Sequence, residues 1–223
     1  MRWVFDRLEL KKKVPRRIVP QASAAEQEAW KKGGLAAELK AVGLTEPFGL
    51  FWGDEIRVEL IGQVRRVWAP RGVKIRQPVE MEYEWEYLNL AINGLEGTLL
   101  WEWTPDMKAN SIAGVVERLQ ENGAQAIVWD RAPGHRGQQV KDVGVALIEQ
   151  PPYSPELNPA ERMFEELGRA VEGKVYGDIE KKKTVEQELQ RFAADPKRVK
   201  SLAGWSWTQE SVRSLSTEKM ALH

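Results

Sequence analysis

Residues 79–105 read VEMEYEWEYLNLAINGLEGTLLWEWTP. Met81, Tyr83, Trp85 and Tyr87 alternate with Glu82, Glu84 and Glu86, the period of two that a half-buried strand requires. Asn93-Gly94 supplies turn chemistry, and TLLWEW returns as a second strand. The stretch reads as a β-hairpin. Upstream, FGLFWGDEIRVEL (48–60) is an apolar run passing into alternation, so a third strand precedes the pair. RRVWAPRG (65–72) ends in turn residues.

Downstream the pattern changes period. NSIAGVVERLQENG (110–123) places Ile112, Val115, Val116 and Leu119 on one helical stripe, with Gly123 after it. AQAIVWD (124–130) and VALIEQ (145–150) are short apolar strands without alternation, as expected of strands covered on both faces. HRGQQVKDVG (135–144) between them is a short helix or turn. PPYSPELNP (151–159) is a rigid loop. AERMFEELGRAVEGKVYG and IEKKKTVEQELQRFAAD are helices, with Lys181, Lys182 and Lys183 read as a solvated helix start. Residues after 195 are weakly patterned. Three antiparallel strands followed by two parallel strands with helical crossovers is the ribonuclease H-like order. It predicts an α/β fold with a mixed five-stranded sheet and helices on both faces.

The N-terminal part differs. KKKVPRRIVP reads as an extended basic linker. SAAEQEAWKKGGLAAELKAVG (23–43) is a helix with Ser23 as cap and Glu26 completing a capping box, interrupted at Gly33-Gly34. The expected organisation is a basic arm over 1–42, a central unit over 43–178 and a helical extension over 179–223.

Composition narrows the chemistry. The 223 residues include no cysteine and two histidines, His135 and His223. Thiol nucleophiles, cysteine-containing zinc sites and multi-histidine metal sites are therefore excluded. No apolar run is long enough to span a bilayer as a helix. Lys plus Arg equal Asp plus Glu at 33 each, for zero net charge. The zero hides unlike parts: residues 1–20 carry seven basic side chains against Asp6 and Glu9, whereas 51–150 carry 11 basic against 15 acidic.

Catalysis therefore has to lean on carboxylates. Asp54 follows LFWG, Asp130 follows AIVW, and Glu161 opens a helix after the Pro-rich loop. Each has a plain structural alternative, as a turn former or a first-turn acid that complements the helix dipole. Together at the ends of sheet strands they would form a cleft for hard, oxygen-liganded cations. Two such cations about 4 Å apart clamp the attacking and leaving oxygens of a phosphoryl displacement.

WDRAPGHRG and IEQPPYSPELNPAERMFEEL resemble the bacterial insertion-sequence branch of the mariner-type DDE transposases. In that family an Asp-Asn-Ala-x-x-His segment holds the second acid, matching Asp130 with His135. A Pro-Pro-Tyr-Ser-Pro-Glu-Leu-Asn-Pro-x-Glu segment holds the third, matching Pro151 to Glu161. The first acid sits in an Asp-Glu pair ending the first strand, matching Asp54-Glu55. RRVWAPRG is similar to the family's Arg-x-Trp-x-Pro-x-Gly hairpin. The resemblance covers about residues 10–205. It implies that Asp54, Asp130 and Glu161 ligate two Mg²⁺ or Mn²⁺ ions. These would cut double-stranded DNA at transposon ends and transfer the freed 3′-OH into target DNA, typically at TA. His135, Asn158 and Glu55 are supporting candidates, with Asn158 also a helix cap and His135 also a plain loop histidine. Trp52 and Trp129 are core candidates that could instead stack on a base.

Arg131 stands where the family has Asn, and could contact phosphate or point away. Only 30 residues separate Asp130 from Glu161. That is about four fewer than is usual in the family, or one helical turn, and RGQQVKDVG is the place to lose them. Lys11, Lys12, Lys13, Arg16 and Arg17, and Arg65, Arg66, Arg71, Lys74 and Arg76 around the first hairpin, are candidate DNA contacts, or simply solvated charge.

The resemblance further implies a homodimer on DNA in a bacterial cytoplasm, nucleoid-associated and away from membranes. Family members carry an N-terminal helix-turn-helix region, of which only the last piece is visible here. The rest is expected to be separately encoded, frameshift-fused or lost. The alternatives are a catalytically silent remnant that binds or regulates, and a nuclease for RNA–DNA hybrids.

Overall fold

Strand β1 (Leu50–Glu59) organises the sheet. It pairs antiparallel with β2 (Trp85–Asn93), from Trp52 opposite Ile92 to Glu59 opposite Trp85. On its other side it pairs in parallel with β4 (Ala126–Trp129), through Leu50–Trp52 only. β3 (Thr98–Thr104) lies outside β2, and β5 (Ala146–Glu149) runs parallel outside β4. The order is β3-β2-β1-β4-β5, the mixed five-stranded sheet expected. This computed structural model describes residues 7, 20–44, 49–59, 70, 72–74, 76, 85–171 and 180–220. Lys11, Lys12, Lys13, Arg16, Arg17, Arg65, Arg66 and Arg71 lie outside them, as do the alternating residues 81–84.

Alternate side chains feed two cores. Leu50, Trp52, Leu88, Leu90, Ile92, Val128 and Ile148 face one side. There they meet Leu35 and Leu39 of α2 (Leu35–Ala41) and Met163 and Leu167 of α5 (Ala160–Val171). They also meet Val185, Leu189 and Phe192 of α6 (Glu180–Ala193), Val199 of α7 (Pro196–Ala203) and Val212 of α8 (Ser206–Met220). Phe51, Ala91, Ile127 and Trp129 face the other side, against Ile112, Val115, Val116 and Leu119 of α3 (Ala109–Glu121) and Val140 of α4 (Gln138–Asp142). Helices on both faces explain why β4 shows no polar alternation. The helices that flank residues 43–178 thus share that unit's larger core.

Local chemistry sets the ends. Ser23 Oγ accepts from the Glu26 amide and caps α1 (Ala24–Ala29). A π-turn over Trp30–Gly34 then joins α1 to α2, with Gly33 at φ 146°, where an L side chain would be strained. Asn93 closes the hairpin by accepting from the amides of Leu95 and Glu96, each at 3.0 Å, and the turn spans the four residues 94–97.

After residue 195, Asp195 accepts from the Arg198 amide and, with Pro196 in the first turn, starts α7. Two expectations need correction. Asp54 does not end its strand: β1 runs five residues further, because β2 continues to pair with it after β4 has stopped. Lys181 is not solvated. Its ammonium reaches the Glu59 carbonyl, and burial pulls its pKa below the usual lysine range.

Candidate active site

β1 carries Asp54 on the face turned toward α5. Asp130 is the first residue beyond β4, and Glu161 lies in the first turn of α5. All three line one cleft of about 450 Å³, with Gln150 and the loop Pro151–Pro155 as its other wall. Asp54 Oδ1 accepts from the Glu55 amide at 2.9 Å, and its Oδ2 accepts from Asn158 Nδ2 at 3.3 Å. The same Asn158 amide donates to the Gly53 carbonyl at 2.8 Å, while Asn158 Oδ1 accepts from the Ala160 amide at 3.0 Å. One buried side chain therefore caps α5 and ties it to β1 beside Asp54.

On the opposite face of β1, Glu55 Oε1 meets His135 Nε2 at 2.8 Å. His135 Nδ1 lies 3.1 Å from Asp130 Oδ1. The imidazole is buried and stacked on Trp129, with ring centroids 4.1 Å apart. His135 belongs to a 3₁₀ turn (Pro133–Arg136) and bridges β1 to the end of β4. Gly53 makes this possible: a Cβ there would lie 1.5 Å from Trp129 Nε1.

Residues 49–183 match the DDE superfamily endonucleases. The chain belongs to that family. Its fold is also that of solved Mos1 transposase structures. A paired-end complex of Mos1 transposase with the left transposon end is 17% identical, over 96% of this chain and 70% of that one, at a TM-score of 0.64. The Mos1 strand transfer complex is 16% identical, over 96% and 70%, at 0.64. The catalytic domain of Mos1 mariner transposase is 16% identical, over 92% and 97%, at 0.55. No curated protein matches the sequence.

Electrostatics in this DDE endonuclease domain are uneven. Burial first, then the charges of Glu161 and Glu55, push the Asp54 carboxyl from 3.8 up to about 8. Burial and Glu165 also raise Glu161. Asp130 goes the other way, held below the usual carboxylate range chiefly by its contact with His135. Burial alone would lower His135, but the hydrogen bonds to Asp130 and Glu55 outweigh it and hold the imidazole up at about 10. At neutral pH it is an imidazolium between two carboxylates.

Among the described residues, no three His, Asp or Glu side chains are placed to hold a metal ion as they stand. The donor set of the cleft nevertheless suits a hard cation. It offers carboxylates and no thiol, and Asp54 is driven to protonate by burial and then by its like-charged neighbours, a repulsion that a cation would equally relieve.

The remaining candidates divide. Arg131 lines the cleft but pairs with Glu149 at 3.4 Å, and Arg136 grips the same carboxylate through two contacts of 2.7 and 2.8 Å. Lys74 and Arg76 are exposed, and neither lines the cleft. Trp52 and Trp129 are buried in the core. The crossover helix α4 has five residues. Sequence reasoning missed Gln150. Its signal was position: it stands one residue beyond β5, as Asp130 stands one residue beyond β4.

Among the described residues, no helix is long and apolar enough to cross a membrane.

Proposed function

We propose that this chain is the catalytic part of a DDE transposase, cutting DNA at the ends of a mobile element and joining the freed 3′-OH to target DNA. One observation carries the reading: Asp54, Asp130 and Glu161, from three separate elements, line one cleft within the stretch that matches DDE endonucleases. The likeness to Mos1 complexes with a transposon end, and with Mn and Mg, supports it.

Two Mg²⁺ or Mn²⁺ ions held by Asp54, Asp130 and Glu161 would supply charge neutralisation and nucleophile activation for in-line displacement. In the first reaction a water oxygen attacks phosphorus and the bond to the 3′-oxygen breaks, leaving a 3′-OH and a 5′-phosphate. In the second, that 3′-OH attacks a target phosphodiester and releases a new 3′-OH. The chain's own groups prepare the cleft. Asn158 fixes Asp54 against the start of α5. His135 keeps Asp130 ionised and hydrogen-bonded. Asp54 holds its proton at neutral pH until positive charge enters.

The reading extends to a catalytic unit over 43–178, flanked by a basic arm over 1–42 and a helical extension over 179–223. It also extends to an origin in a bacterial insertion sequence, a homodimer on DNA, a TA target and a separately supplied helix-turn-helix segment. Lys11, Lys12, Lys13, Arg16, Arg17, Arg65, Arg66, Arg71, Lys74 and Arg76 would follow phosphates.

Nicking of supercoiled plasmid with Mn²⁺ tests the core of it. Wild type should nick, and Asp130→Asn should lower the rate by at least about 100-fold. Equal rates would remove the carboxylate mechanism. DNA binding without nicking by wild type would favour the silent remnant, and cleavage confined to RNA–DNA hybrids would favour the hybrid nuclease.

A further inference from the structure

Gln150 is the first residue beyond β5. The register pairs Trp52 with Val128, Val128 with Ile148, and Trp129 with Glu149. The Gln150 amide donates to the Trp129 carbonyl at 2.8 Å, carrying the β4–β5 ladder one step further. Counting two residues on from Trp52, Val128 and Ile148 gives Asp54, Asp130 and Gln150. Asp130 and Gln150 are the first residues beyond β4 and β5, Asp54 lies in β1 beside them, and all three line the acid cleft.

Gln150 is only 5% exposed, and its Oε1 has no hydrogen-bond partner. A buried amide oxygen without a donor is costly, and such a group in a native fold calls for a missing partner. The nearby chemistry indicates which partner. The acidic side chains of the cleft are carboxylates, which when ionised offer only acceptors. A neutral oxygen beside two carboxylates is one more hard donor, and it adds no repulsion. A structural amide would instead be expected to show both its donor and its acceptor satisfied.

We propose that Gln150 supplies a neutral oxygen to the divalent cation of this cleft, alongside Asp54 and Asp130. The inference rests on the metal-dependent reading above and adds a ligand to it. The residue thereby sets cation affinity without changing the net charge of the site.

Mn²⁺ titration of the full chain, followed by the loss of the free-ion paramagnetic resonance signal, tests it. Asp130→Asn should abolish tight binding. Gln150→Leu should weaken binding by about 10-fold or more, and Gln150→Glu should restore or exceed the wild-type affinity. With no metal present, Gln150→Leu should raise the melting temperature by about 2–4 °C, because it removes an unpaired acceptor. Unchanged Mn²⁺ affinity in Gln150→Leu, with Asp130→Asn impaired, overturns the role of Gln150 and leaves the metal site standing. Wild type that does not bind Mn²⁺, or Asp130→Asn that binds like wild type, overturns both. A lower melting temperature in metal-free Gln150→Leu would mark the amide as structural and also sink the proposal.

Discussion

Asn158 holds together two elements that each carry a candidate acid. Replacing it by Ala removes the cap of α5 and the donor to Gly53 and Asp54 at once. The expected loss is about 2 kcal/mol, the upper part of the range for a helix cap. Urea denaturation monitored by tryptophan fluorescence measures it, and a loss below about 0.5 kcal/mol would mean that the side chain does not couple α5 to β1. Asp54 gives a second test. Its carboxyl titrates near 3.8 when exposed and at about 8 in the fold. Between those values the folded chain keeps a proton that the unfolded chain has lost, so stability falls as pH rises. His135 acts in the same direction, but only above 6.5, its ordinary value. From pH 4.5 to 6.5 the decline therefore belongs to Asp54 together with Glu161, whose carboxyl burial also raises. Metal-free Asp54→Asn should make the stability profile shallower there, and an unaltered slope would contradict the raised value of Asp54. Asp54, Asp130 and Glu161 stood out as candidates beside apolar runs and the proline-rich loop, and it was the resemblance of those segments to DDE transposases that joined them into one site. Gln150 and the Glu55–His135–Asp130 bridge were not legible, since they arise from register and from packing across β1 and β4.

The decisive element is β1, which outruns its parallel partner. β4 stops after Trp129, and β1 goes on to Glu59 against β2. That mismatch in length opens the space in which Asp54 and Asp130 meet the start of α5. The sequence displayed a strand over 48–60, but the acidic pair was placed at its end, because the buried apolar run stops there and the resembling family has its first acid at a strand end, while the alternation beyond it is the part that pairs with β2 alone. Gly53 marks the tightest point of the element. A methyl group there would overlap the Trp129 indole, which also stacks on His135. Gly53→Ala must displace that ring from a closely packed core, at a cost of about 3 kcal/mol or more. Thermal melting reads the loss, and near-ultraviolet circular dichroism reads the tryptophan environment. Wild-type behaviour in both would show that the indole can move without penalty. Helices α7 and α8 were only weakly legible for a different reason. Their apolar positions are sparse: α7 is held by the sheet, α5 and α6, and α8 by α2 and the π-turn before it, more than by their own periodicity.

At the scale of the whole molecule, zero net charge is compatible with DNA, because the basic and acidic residues are segregated along the chain. Core topology makes a sharper prediction. Charge and composition divide the chain near residues 42 and 178, yet the larger hydrophobic cluster crosses both positions. Leu35 and Leu39 lie before the first, Val185, Leu189, Phe192, Val199 and Val212 after the second, and all pack with Leu50, Leu88, Leu90 and Ile92 from the sheet. A fragment limited to residues 43–178 keeps α5 but uncovers much of that sheet face. Apolar surface stripped of its cover is driven toward association or loose collapse. The fragment should bind a hydrophobic dye and melt without a sharp transition, whereas a fragment spanning 20–220 should melt cooperatively. If residues 43–178 alone melt as sharply, and at the same temperature, the flanking helices contribute no stability, and the central unit can be assayed for DNA nicking by itself. If they do not, then loss of nicking in the short fragment reports loss of the fold, and only point substitutions in the complete core can assign chemistry to Asp54, Asp130 and Glu161.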